Sequence, residues 1–112
     1  MDSFMTYLTG KIEEGNAETA SLLADGCKDD ADFAKVRTNI YDVCRTVSQA
    51  LISRPGAGTE AIRKQLERFR TEWGAALEKA KQHGDIRGIT VEETKLAALE
   101  DIIAHFREVS EA

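Results

Sequence analysis

The sequence holds a single proline, Pro55, two cysteines, two histidines and few aromatics, which make up 6% of its 112 residues. Cys27 and Cys44 form no CxxC pair, so neither a thioredoxin-type redox motif nor a zinc site of paired cysteines can be written for them. The N-terminus, MDSFMTYLTGKIEE, has no basic leader followed by a long apolar core, and both thiols read as the reduced cysteines of a cytoplasmic protein. No apolar run approaches the roughly 20 residues that cross a bilayer, which excludes a spanning helix. Sustained alternation of apolar and polar residues is missing, and with it the signature of strands. Also missing are a Gly-rich phosphate loop, a nucleophile elbow and zinc-ligand spacing, so the chemistries that rest on those motifs have no footing.

What is present is the balance of a globular chain, 42% hydrophobic and 31% charged with a net charge of -5, of a length suited to one domain over 1–112. Apolar residues recur at spacings of three and four between glycine-marked turns. The spacing predicts an all-α fold with helices at about 3–24, 30–53, 60–83 and 91–110, joined by short connections that favour an antiparallel up-and-down four-helix bundle. Glycines at 10 and 15 and several threonines weaken the first helix, whose expected buried residues are Phe4, Leu8, Ile12, Leu22 and Leu23. A three-helix core with the first helix loosely docked is the rival arrangement.

The second helix carries the stripe Phe33, Val36, Ile40, Val43, Val47, Ala50 and Leu51, with Cys44 on the same side. The third carries Ile62, Leu66, Phe69, Trp73, Leu77 and Ala80, with Thr59 as its N-cap and His83-Gly84 as its end. Thr90 and Glu93 have the spacing of a capping box opening the fourth, which carries Val91, Ala98, Leu99, Ile102, Phe106 and Val109. Leu96 and Ile103 widen the apolar face of the fourth helix, and Tyr41 and Ile52 that of the second. These four are the expected surface for a protein partner or a second copy, making a homo-oligomer.

The segment CKDDADFAKVRTNIYDVC sets aspartates between the cysteines, yet a calcium loop started at Asp25 would put Cys27 at its third position and Val36 where the bidentate Glu belongs. Asp29 and Asp30 are instead expected to cap the second helix. Asp101, His105 and Glu108 share a face of the fourth helix, but the chain has no Glu-x-x-His for a di-iron bundle, and His105 lacks the HxxKG context of histidine phosphotransfer bundles. No metal, no cofactor and no catalytic residue is expected. Residues 54–87 carry a net charge of +3 between segments of -4 on either side. Arg63, Lys64, Arg68 and Arg70 have no helix-turn-helix or aromatic-interleaved patch around them, so the basic helix is expected to lie beside acidic neighbours and not on nucleic acid.

The stretches FMTYLTGKIEE, KDDADFAKVRTNIYDVCRTV and LEKAKQHGD resemble a group of small helical proteins of anaerobic Firmicutes that have no assigned function. That likeness implies a bacterial helical fold and no residue roles. EWGAALEKAKQHGDIRGITVEETKLAALEDII is similar to the closing helices of TetR-type ligand-sensing domains, whose DNA-binding head has no counterpart here, so no repressor role is implied. The function expected from the residues is a non-enzymatic helical protein–protein interaction module that self-associates. Two alternatives are a sensor holding a small apolar ligand around Phe69 and Trp73, and a small acidic inhibitor of a basic protein.

Overall fold

The computed structural model describes residues 1–56 and 58–111. It contains four helices, α1 (Asp2–Ala24), α2 (Lys28–Ile52), α3 (Thr59–Gln82) and α4 (Ile86–Glu111), in the expected up-and-down order. Both hairpin turns end in the same way. Gly26 and Gly84 adopt φ of +78° and +62°, a left-handed conformation that glycine takes without cost. Their amides, with those of Cys27 and Asp85, recover the last carbonyls of α1 and α3.

Three helix starts differ in detail from expectation. Cys27 is the N-cap of α2 and makes no side-chain cap bond, so Asp29 and Asp30 sit in the first turn as charges at the positive end of the helix. Gly58 occupies the N-cap of α3, which displaces Thr59 into the helix. The largest difference is in α4, which opens before the Thr90–Glu93 box. The Asp85 carboxylate accepts the free amide of Gly88 at 3.0 Å, while the Thr90 hydroxyl bonds the Ile86 carbonyl inside the helix. An Asp cap at the end of the tight turn satisfies the amides first, so the downstream box has nothing left to start.

The four helices do not make a square bundle. α4 is central: Phe4 meets Phe106 edge-on at 5.2 Å, Tyr41 bonds Asp101, and Arg70 bonds Glu100, so α4 touches α1, α2 and α3. The α1–α2 and α3–α4 hairpins join mainly through α2 against α4, and α2 and α3 share little contact. Phe4, Leu8, Ile62, Leu99, Ile102 and Phe106 are the large apolar side chains fully withdrawn from water. Each such burial contributes about 1.5–3 kcal/mol.

With Phe4 and Leu8 at the centre, α1 is firmly docked, which overturns the three-helix rival. It is held by close approach. Gly15 is buried, and a Cβ there would run into the Thr38 side chain. Ala31, Ala34, Thr19 and Thr38 complete a seam of small residues. The two threonines turn their hydroxyls back on the Gly15 and Ala34 carbonyls at 2.8 and 2.7 Å, so no polar group is orphaned where the backbones meet. That seam rotates α2. Of its expected stripe only Ile40, with Cys44, is fully buried; Phe33, Val36, Val43, Val47 and Leu51 are half-buried and Ala50 is exposed. Leu22 is half-buried and Leu23 is 47% exposed, because α1 runs past the end of the core there.

Candidate functional site

The densest polar cluster links three helices at one carboxylate. Tyr7 of α1 and Tyr41 of α2 both donate to Asp101 Oδ2 of α4, at 2.6 and 2.8 Å. His105, one turn beyond Asp101, lies flat on the Tyr7 ring with centroids 3.7 Å apart and planes 6° from parallel. Burial, then the hydrogen bond to Asp101, pushes the Tyr7 hydroxyl well above an ordinary phenol, and the same causes push Tyr41 up to about 12. In the other direction, the Tyr7 hydrogen bond, with that of Tyr41 and the charges of Lys11 and His105, outweighs partial burial and holds the Asp101 carboxyl below the usual carboxylate range.

Those shifts decide what the cluster can do. A base or acid working near neutral pH needs a pKa near neutral, whereas here the carboxylate stays ionised and both phenols stay protonated. The arrangement donates and accepts fixed hydrogen bonds; it is a clamp between α1, α2 and α4. Asp101, His105 and Glu108 share one helix face in the sequence. The fold brings the first two together with Tyr7 and leaves Glu108 exposed. Each tyrosine is one residue away from a buried aliphatic, Leu8 or Ile40, so its ring is covered while its hydroxyl reaches the helix edge, but that position alone does not announce Asp101.

The remaining candidates are spread through the fold. Cys27 is exposed in the α1–α2 turn, and Cys44 is buried, with burial pushing its thiol up to about 12. Such a thiol is not a nucleophile near neutral pH. Asp32 reaches Arg87 at 3.5 Å, and that guanidinium also covers the Phe33 ring. Among the described residues, no three His, Cys, Asp or Glu side chains gather as a metal would require.

Basic α3 does lie against acidic α4. Arg70 grips Glu100 with two bonds of 2.7 Å, Arg107 reaches back to Glu67, and Arg63 pairs with Glu60 within its own helix. Phe69 and Trp73, expected around a ligand, stack on one another at 4.7 Å, and the Lys95 ammonium covers Trp73 at 5.1 Å. Lys95 also approaches Glu92 Oε2, an oxygen shut away from water, at 3.3 Å.

Of the four residues expected on an association surface, Tyr41 and Ile103 lie inside the chain's own core, Leu96 is half-buried and Ile52 is exposed. Tyr41 is drawn in by Asp101 and α1, and Ile103 by α3. Two open depressions run along α1 and α2. One, of about 690 Å³, is edged by Met5, Thr9, Gly10 and Arg45, and the other, of about 570 Å³, by Ile12, Asn16, Asn39 and Arg45. Both are shallow and open to solvent. Among the described residues, no helix is long and apolar enough to cross a membrane. The chain matches no family model, no curated protein and no solved structure.

Proposed function

We propose that the chain is a non-enzymatic helical interaction module of the cytoplasm that associates with a second copy of itself. The observation that carries this reading is a surplus of surface. A monomeric protein of this mass exposes about 6,100 Å², and this chain exposes 6640 Å². Its radius of gyration is 15.1 Å, where a compact domain of the same length has about 13 Å. The surplus is partly apolar. Phe33, Val36, Val43 and Val47 of α2 are left half-covered because α3 packs on α4 and hardly on α2.

The clamp chemistry supports the non-enzymatic half of the reading, since its titrating groups are held away from neutral pH. The small-ligand alternative has less support, because the rings expected to hold the ligand cover each other. Sedimentation velocity over a dilution series tests the proposal. A species of twice the chain mass that dissociates on dilution is expected; a single species of one chain mass at tens of micromolar would overturn self-association.

A further inference from the structure

Four of the five half-covered apolar residues of α2 are arranged about a centre, with Leu51 outside the pattern. Phe33 and Val47 lie equally far on either side of Ile40, and Val36 and Val43 flank nearly the same point. We infer that a second copy of this chain docks here, with the two α2 helices antiparallel and a two-fold axis passing near Ile40. This rests on the self-association proposed above and names its surface.

In an isologous contact the same patch must complement itself. Here antiparallel pairing sets Val36 of one copy against Val43 of the other, and brings Val47 towards Phe33, whose ring Arg87 covers on one face. Between Val36 and Ala50 the flank is also free of charge; Asp32, one turn before Val36, is paired with Arg87. Positions 36, 39, 43, 46, 47 and 50 are Val, Asn, Val, Thr, Val and Ala, in a chain of which 31% is charged. Depletion of charge at the centre of a patch marks an interface core. Charge returns at the ends in complementary form. Asp29 and Asp30 open α2, and exposed Arg54 follows its end, so antiparallel pairing brings the acidic turn of each copy towards Arg54 of the other.

The area fits as well. The chain exposes about 500 Å² more than a monomer of its mass, and a standard interface removes about 800 Å² from each partner. A contact along α2 between Phe33 and Ala50 runs about 25 Å at 1.5 Å per residue. Burying that flank would bring the chain towards an ordinary exposure.

Two variants of the full chain test this surface. In Val43→Glu a charge is placed on the flank at a half-buried position, where the monomer can keep it in water. The dissociation constant should rise a hundredfold or more, about the effect of an unpaired charge in an interface, with helicity by circular dichroism unchanged. In a Cys27→Ser background, Asn39→Cys puts an exposed thiol near the axis. It should form an intermolecular disulfide under mild oxidation about a hundredfold faster than Ala75→Cys on the outside of α3, because a thiol held beside its mate meets it at a roughly millimolar effective concentration.

A wild-type dimer that persists in Val43→Glu and whose Asn39→Cys variant links no faster than Ala75→Cys would overturn the α2 surface while leaving self-association standing. A wild-type chain that sediments as one chain at tens of micromolar would overturn both.

Discussion

Alanine at two glycines of α1 should have opposite effects, though the helix and the substitution are the same. At Gly10 an added Cβ meets no atom within 4 Å. The change therefore gains only helix propensity, about 0.5–1 kcal/mol of stabilisation. At Gly15 the same Cβ falls on the Thr38 hydroxyl and crowds its Cβ, with the backbones of α1 and α2 fixed on either side. Overpacking of this kind costs about 1–3 kcal/mol, and relieving it by moving α1 would also loosen Phe4 and Leu8. After the propensity gain is subtracted, Gly15→Ala should remain destabilising, by about 1–2 kcal/mol.

Urea titration followed by circular dichroism, at one fixed protein concentration, reads both variants against wild type. Thr38→Ala removes the hydroxyl and the methyl, so Gly15→Ala should cost less in that background. A Gly15→Ala chain at least as stable as wild type, with no coupling to Thr38, would show that α1 and α2 do not meet at this seam.

Three further outcomes follow from the same contacts. Asp85→Ala should lose about 1 kcal/mol as the cap of α4 goes, whereas Thr90→Ala should stay within about 0.5 kcal/mol; the reverse order in thermal melts would return the start of α4 to the Thr90–Glu93 box. The two tyrosines of the chain are both in the clamp, so tyrosinate absorbance reads it directly. Tyr41 in the folded chain titrates at about 12 against 10.0 unperturbed, so the stability it brings is whole below pH 10.0 and is lost as pH rises through about 12. Asp101 has its folded value lowered, so its contribution is whole above about pH 4 and is lost as pH falls through the lowered value. A folded chain whose tyrosines ionise like free tyrosine would contradict the clamp. Last, a thiol reagent should modify Cys27 at once and Cys44 only on unfolding; equal rates would mean that Cys44 is not in the core.

The helices and their order were legible because apolar spacing and glycine stops are local signals. α4 shows this best, with Ala98, Leu99, Ile102 and Phe106 all buried as expected. Harder to read was which face of α2 turns inward. An apolar stripe points to the core side, but the α1–α2 seam is built from Gly15, Thr19, Ala31, Ala34 and Thr38, whose value lies in being small and not in being apolar. Small-residue seams have no hydrophobic periodicity, so α1 looked weak in sequence where it is most closely packed. The Tyr7–Asp101–Tyr41 clamp was illegible for another reason: its members are far apart in sequence, and nothing local to Asp101 announces two tyrosines on other helices. Rotation of α2 by the seam is also what leaves Val36, Val43 and Val47 half in water.

Small-angle scattering on an absolute intensity scale tests self-association most directly, because it gives mass and shape from the same solution. At micromolar concentration the wild-type chain should scatter with twice the mass of one chain and a radius of gyration well above 15.1 Å, falling towards that value on dilution. The mass of one chain with a radius near 15.1 Å at every concentration would contradict it.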